Sequence, residues 1–407
     1  MGSPVFLKRV VLKNYKSIAG CSVDLGPLTF LVGPNGSGKS NFLDALRLVT
    51  ESLNTSLEQS LRARGGIKEV RRRSSGKKGK GRPTNFGIRL DLQLDKGITG
   101  FYAFVVEAKT EGGFEVQKEE CRWRDERAFD KAWYRVESGQ VKEASGQVMP
   151  PASSDRLYLV SAAGLPDFRP VFDALSHMGF YNLNPDAIRE LQAPDPGQFL
   201  RRDGDNLASV LGFMEKGVRD RVLEFLSHVV PGVTNVSVKH IGKKETLEFQ
   251  QEIIPNGTTW RFMAESMSDG TLRALGVLTA LFQATLRNGS HVPLVGIEEP
   301  EMAVHPGAAG VLRDALKVAS ASTQVVVTSH SPDLLDDKEV VADWILGVVS
   351  ENGETKIGPI DEADRSVIRD RLFTAGELLR QGQLLPDRKH LNQDSPGQLE
   401  LFGRQEL

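Results

Sequence analysis

Residues 33–40, Gly33-Pro34-Asn35-Gly36-Ser37-Gly38-Lys39-Ser40, follow the pattern G-x-x-x-x-G-K-[ST], and Asn41 comes next. Glycines at that spacing let the backbone fold into a concave nest of N–H groups. A helix beginning there aims its positive dipole at phosphates, the Lys39 ammonium neutralises charge on them, and the Ser40 hydroxyl is open to Mg²⁺. A second cluster, Glu298-Glu299-Pro300-Glu301, closes the apolar run Val295-Gly296-Ile297. In enzymes with such a phosphate loop, the first carboxylate at a strand end holds Mg²⁺, usually through water. The next orients or deprotonates an attacking water. Glu298 stands where aspartate is usual, and its longer arm still reaches a metal-bound water. A third candidate, His330, ends the run Val325-Val326-Val327-Thr328-Ser329, where an imidazole can reach a γ-phosphate. Taken singly, the carboxylates could be a solvated turn and the histidine a surface residue. In this order along one chain they imply binding and hydrolysis of a nucleoside triphosphate, with ATP as substrate and Mg²⁺ as cofactor.

These groups need elements to hold them. Pro27–Val32 reads as a buried strand into the phosphate loop and Asn41–Leu48 as the helix leaving it. Phe6–Tyr15 and Cys21–Leu25 alternate as strands. Alternation over Asn85–Val106 and again at Phe114–Val116 predicts an antiparallel meander. Residues 167–230 read as helical with breaks at Pro194 and Pro196, and Val236–Ile254 reads as a hairpin turning near Gly242. A long apolar helix is expected over Thr271–Leu286, buried strands over Val292–Ile297 and Gln324–Thr328, and a helix from about Pro306 to Ala319. Strands alternating with helices around a phosphate loop give an α/β core with a parallel sheet. The expected organisation is a nucleotide-binding lobe with the meander over 1–160 and an inserted helical lobe with the hairpin over 161–264. Residues 265–380 complete the core, and 381–407 form a disordered tail.

Ser266-Met267-Ser268-Asp269-Gly270-Thr271 precedes the long helix. Ser and Asp are N-cap residues, and an exposed helix N-terminus is also an anion site. The succession of phosphate loop, distant S-x-S-D-G-T, Glu-Glu-Pro-Glu followed by His305-Pro306, and Thr328-Ser329-His330-Ser331 resembles the ABC-type ATPases of the RecF/SMC/OLD-like group. In particular it resembles their stand-alone "predicted ATPases". Asn14-Tyr15-Lys16-Ser17 is similar to that group's N-terminal pattern. The resemblance implies a P-loop head of the ABC-ATPase type with an antiparallel meander and an inserted helical lobe. It also implies a homodimer closed head to head over two ATP molecules. Carried over, Gly33 to Asn41 bind nucleotide, Ser40 and Glu298 serve Mg²⁺, Glu299 is the general base and His330 the γ-phosphate sensor. Ser268, Asp269 and Gly270 reach the ATP of the other subunit. Gln93 and Gln117 are the candidates for the glutamine that joins the lobes. The chain lacks the heptads of a long SMC arm, and the acidic cluster of the OLD-type nuclease domain is not apparent after His330.

Composition narrows the setting. The 407 residues are 40% hydrophobic and 26% charged, an ordinary globular balance. No apolar run approaches the roughly 20 residues of a membrane span and no signal peptide precedes Val5, so a cytoplasmic protein without a membrane anchor is expected. Cys21 and Cys121 are too few for a disulfide scaffold or a metal cluster. A net charge of −2 leaves nucleic-acid contact to local patches. Residues 64–82, rich in Lys, Arg, Gly and Ser, read as a flexible loop: a solvated insertion or an arm that tracks DNA phosphates. In the tail, Gln398-Leu399-Glu400-Leu401-Phe402 is similar to the Q-L-x-L-F peptides by which bacterial repair proteins dock on the sliding clamp; the alternative is a short helix packed back on the head. The expected function is an ATP-hydrolysing, dimerising switch in DNA repair or in defence against phage and other invading DNA. A second reading is an ATP-bound scaffold that clamps a separate nuclease or toxin effector. A transporter motor, a small GTPase and a ring-forming motor are disfavoured by the missing LSGGQ-type signature, the missing N-K-x-D motif and the wide spacing of the carboxylate strand.

Overall fold

The computed structural model describes residues 5–73, 83–94, 97–124, 130–146, 149–252, 257, 259–283, 292–302, 304–393 and 399–403. Sixteen strands occur among them: β1 (Leu7–Tyr15), β2 (Ile18–Asp24), β3 (Leu28–Val32), β4 (Asn85–Leu94), β5 (Ile98–Ala108), β6 (Phe114–Arg124), β7 (Asp130–Glu137), β8 (Gln140–Ala144), β9 (Gly179–Tyr181), β10 (Val233–Ile241), β11 (Lys244–Glu252), β12 (Thr259–Met263), β13 (Leu294–Glu298), β14 (Gln324–Ser329), β15 (Ile345–Glu351) and β16 (Glu354–Pro359). Thirteen of these form one sheet in the order β8-β7-β6-β5-β4-β1-β2-β16-β15-β3-β14-β13-β9, and β10-β11-β12 form a second.

The large sheet has two characters. From β8 to β2 every neighbour is antiparallel, the expected meander. From β15 through β3, β14 and β13 to β9 every neighbour is parallel. The central parallel strands β3 and β14 are buried along their whole length because both faces are covered. On β3, Leu28, Phe30 and Val32 enter the core on one face, and Leu31 enters the core on the other. The β15–β16 hairpin joins the two halves: β15 lies parallel to β3 and β16 parallel to β2.

The helices fall where the apolar periodicity predicts, with shifted ends. The phosphate-loop helix is Lys39–Asn54, the long apolar helix is Asp269–Phe282, and the helix before β14 is Ala309–Ala319 behind a 3₁₀ turn at Pro306–Ala308. Residues 284–286 of the predicted long helix lie outside the described residues. The 167–230 stretch is helical over Arg169–Ser176, Pro185–Arg189, Leu207–Phe213 and Lys216–Val229, and it also supplies β9, the edge of the parallel sheet. Leu183, Leu207, Val222 and Phe249 share one core with Leu278 and Val327, so this insertion packs directly onto the nucleotide-binding sheet.

Two expectations of looseness are corrected. Residues 64–73 are not a flexible loop: Ile67–Val70 is a helical turn with Ile67 and Val70 buried, and the Arg64 guanidinium is buried against Asp44; residues 74–82 lie outside the described residues. The tail is not disordered throughout either, because Arg388–Gln393 is helical and Leu399 and Leu401 are buried on the meander. Gln398 lies outside the described residues.

Candidate nucleotide site

The phosphate loop follows β3 and is pinned from behind by the β15–β16 hairpin. A Cβ on Gly33 would stand 2.0 Å from the Val348 carbonyl oxygen, and one on Gly38 2.0 Å from Thr355 Oγ1. Gly38 also takes the left-handed conformation, φ 103°, that begins the helix. A chain of hydrogen bonds fixes the loop: Asn41 Nδ2 donates to Ser17 Oγ (2.7 Å), Ser17 Oγ pairs with Thr355 Oγ1 (2.7 Å), and Thr355 Oγ1 donates to the Ser37 carbonyl (2.8 Å).

Lys39 is 5% exposed, and its ammonium donates to the carbonyls of Gly33 (2.7 Å) and Pro34 (3.0 Å). Burial pushes its pKa down, and Glu299 and Glu301 act against that. The helix Lys39–Asn54 has no acidic residue in its first turn and no side-chain cap, so its leading N–H groups face an open loop. Pro34, Asn35, Gly36 and Ser40 are exposed around it. A bare helix N-terminus with an adjacent ammonium fits a polyphosphate.

One turn further along this helix sits an ionic knot. Asp44 is 8% exposed and meets Lys16 Nζ (2.6 Å), Arg47 Nη2 (2.6 Å), Arg64 Nη2 (3.0 Å) and the Tyr15 hydroxyl (2.8 Å). Burial alone would raise its pKa, but Arg64, Lys16 and Arg47 together hold it well below the usual carboxylate range. The Asn14-Tyr15-Lys16-Ser17 pattern thus has a physical role. Asn14 (φ 54°) and Lys16 (φ 46°) shape the β1–β2 turn that presents Tyr15 and Lys16 to Asp44 and Ser17 to the phosphate loop.

The acidic cluster lies at the end of β13, next to β14 and one strand beyond β3. Glu299 has φ 45°, a conformation that costs a side-chain-bearing residue about 1–3 kcal/mol. Its N–H donates to the Thr328 carbonyl (3.0 Å), and its own carbonyl accepts from Arg273 Nη2 (3.1 Å). His330 Nδ1 lies 3.1 Å from Glu299 Oε1. Glu298 points the other way, with Oε1 3.1 Å from Arg202 Nη2. Glu301 accepts from Ser329 Oγ (2.6 Å) through one oxygen, while the other is buried without a partner. Burial raises the pKa of Glu301, an effect opposed by the Ser329 hydrogen bond.

The signature corner stands apart from this cluster. Ser268 caps the helix Asp269–Phe282, its Oγ accepting from the Thr271 N–H (3.2 Å) and pairing with Thr271 Oγ1 (2.8 Å). Ser268 and Asp269 are nonetheless exposed, and Asp269 forms an ion pair with Arg189. The expected N-cap and the expected accessible surface coexist.

Four participants were missing from the sequence reading: Arg273, Arg202, Thr355 and the Glu301–Ser329 pair. Arg273 is 5% exposed and joins three segments, donating to the carbonyls of Leu183 (2.5 Å), Glu298 (3.1 Å) and Glu299 (3.1 Å). An arginine inside an apolar helix, at a position only 3.6-residue periodicity would bury, was the available signal. Gln93 and Gln117 join nothing here. Gln117 bonds Glu107 on the meander, and Gln93 sits in β4.

Comparison with known proteins agrees with this geometry. Residues 28–336 match the family described as "AAA domain, putative AbiEii toxin, Type IV TA system". The Old nuclease of Escherichia phage P2 is 23% identical over 373 residues, which cover 82% of this chain and 58% of the phage protein. The chain therefore spans little more than half the length of that relative. Among solved structures, an SMC head bound to the C-terminal winged-helix domain of ScpA aligns with a TM-score of 0.56 and 14% identity, covering 88% of this chain and 99% of that one. The Smc head of Pyrococcus furiosus with an extended coiled coil, bound to the C-terminal domain of ScpA, aligns with a TM-score of 0.57 and 12% identity, covering 90% and 99%. At such identities the structural likeness speaks for the fold. With the family match, the phosphate loop and the strand order, the chain belongs to this AAA-domain family and is an ABC-type ATPase head of the RecF/SMC/OLD group.

Proposed function

We propose that this chain hydrolyses ATP slowly, and that ATP closes two copies head to head into a switch acting on DNA, in repair or in defence against invading DNA. The observation that carries the reading is a convergence at the carboxyl ends of neighbouring strands. The phosphate loop follows β3, His330 follows β14, and Glu298 and Glu299 end β13, on three adjacent parallel strands. Ligands of open α/β sheets bind at the carboxyl ends of such strands.

Lys39 and the N–H groups opening the helix Lys39–Asn54 would hold the phosphates, and Ser40 and Glu298 would hold Mg²⁺. The metal, when bound, neutralises charge on the phosphate oxygens. Glu299, fixed at its backbone by Thr328 and Arg273, accepts a proton from the attacking water, and His330 orients that carboxylate. Glu298 is paired with Arg202, and its carboxylate would serve the metal once that pair opens. Ser268 and Asp269, exposed on each head, and the half-buried Gly270 complete the partner's site.

A route from nucleotide to DNA is available. Lys68, Glu69, Arg71, Arg72 and Arg73 line a basic hollow. Arg72 pairs with Glu354 (3.0 Å), whose neighbour Thr355 holds the Ser37 carbonyl. The phage P2 relative, a nuclease by name, favours a DNA-directed role. The sliding clamp, read by Leu399, Leu401 and Phe402, is a further candidate partner.

The test is size in solution with and without ATP-Mg²⁺, using the Glu299→Gln chain. A shift from monomer to dimer only with ATP is expected. A monomer at saturating ATP ends the dimer reading, and absence of ATP binding ends the whole reading.

A further inference from the structure

The outer face of the meander carries a row of four residues that face one another across strands: Lys13 on β1, Gly87 on β4, Val105 on β5 and Lys118 on β6. The opposite face of the same strands is core, with Leu12, Phe86, Ile88, Phe104 and Val106 fully buried. Residues 399–403 lie over the outer row and cross the strands in its order. Glu400 interacts electrostatically with Lys13. Leu401 fills the hollow at Gly87, where a Cβ would stand 2.3 Å from Leu401 Cδ1. The Lys118 ammonium stands over the Phe402 ring, 4.4 Å from its centroid. Leu399 and Leu401 bury themselves with Val11 and Val105, and Arg89 Nη1 donates to the Leu401 carbonyl (3.3 Å).

We propose that this cross-strand row is a docking groove for a Leu-x-Leu-Phe peptide, and that its resident is the chain's own Leu399–Phe402 segment, held as a releasable latch. Three features specify the occupant. The missing side chain at Gly87 makes room for one branched apolar residue, the lysines at the two ends match an acid and an aromatic ring, and Arg89 reads the peptide backbone. The apolar anchors that a partner would read are the same ones the groove covers. A partner of Leu401 and Phe402 therefore captures only the released fraction of molecules, and its apparent affinity falls in that proportion.

Chymotryptic cleavage after Phe402, followed by mass spectrometry on the full chain, reads the latch; the free peptide of residues 396–407 sets the unlatched rate. Cleavage of the native chain at least tenfold slower than of the peptide is expected. Gly87→Val, which closes the hollow, and Leu401→Asp, which leaves the sheet untouched, should each restore the fast rate. Native cleavage at the peptide rate, or rates unchanged in both variants, overturns the proposal. A hundredfold dilution should leave the native rate per molecule unaltered. Faster cleavage on dilution overturns the resident named here, because the occupant would then come from a second copy.

Discussion

His330 Nδ1 stands 3.1 Å from Glu299 Oε1, and the two residues arrive from the ends of neighbouring parallel strands. The register sets this contact: Glu298 lies opposite Thr328, and Glu299 is held there by its N–H bond to Thr328. We propose the carboxylate so placed as the general base. Glu299→Gln keeps the shape and loses the basicity, so phosphate release should fall by about 10²-fold or more while ATP affinity is retained. Turnover within twofold of the native rate would remove Glu299 from that role.

Arg273 gives a different signature. It donates to the carbonyls of Glu298 and Glu299 and so sustains the left-handed conformation of Glu299. Hydrogen bonds from a charged donor contribute about 1.5–3 kcal/mol each, and losing them frees the base from its position. Arg273→Met should lower kcat at least about tenfold, by roughly one such bond, with the nucleotide Kd little changed; Arg273→Lys should recover part of it. A loss of ATP binding equal to the loss in kcat would mean that Arg273 only supports the fold.

Ser268 tests the dimer from the other side. It is exposed yet caps its helix, so Ser268→Arg should cost about 1 kcal/mol of stability for the lost cap. The same change should abolish ATP-dependent association while leaving ATP binding to the monomer intact. Persistent ATP-dependent dimers on sizing would exclude the trans contact.

Asp44 links the site to pH. Its folded-state pKa lies below the unfolded value of about 4, because Arg64, Lys16 and Arg47 outweigh burial. Its contribution to stability is therefore complete above that value and is lost as pH falls through the folded pKa. Asp44→Asn should cost about 3 kcal/mol at neutral pH, since it takes the shared carboxylate from Lys16, Arg47 and Arg64 and leaves Glu51 alone to face the two arginines. Denaturant titrations should show the gap between variant and native chain narrowing below about pH 4. A constant gap down to pH 2 would contradict the assignment.

The basic hollow predicts a salt effect. If Lys68 and Arg73 meet phosphates, Lys68→Ala with Arg73→Ala should weaken DNA binding evenly across sequences and reduce the log–log salt slope by about two. An unchanged slope would place the DNA contact elsewhere.

The phosphate loop, the carboxylate strand and the histidine strand were legible because each joins a strict local pattern to an apolar run, and the structure sets all three on adjacent strands. Part of the meander, over 85–106 and 114–116, was legible from alternation, whereas β7 and β8 were not read. The short β9, three residues long, was hidden in a helical stretch because so few residues carry no period. Arg273 and Thr355 were illegible for another reason. Their partners, Glu299 and Ser37, are distant in sequence, and only the closed sheet brings them together. The segment 64–73 misled because its charge suggested solvent, whereas Arg64 is buried by its pairing with Asp44 and Glu51.

The insertion of the β15–β16 hairpin between β2 and β3 has a consequence for biogenesis. The phosphate loop is synthesised well ahead of the threonine that clasps it, since Thr355 lies 318 residues from Ser37. Until β15 and β16 emerge, the edges of β2 and β3 that receive them stay unpaired, the condition in which nascent sheets mispair. The earliest part of the site to be synthesised is thus the last to mature.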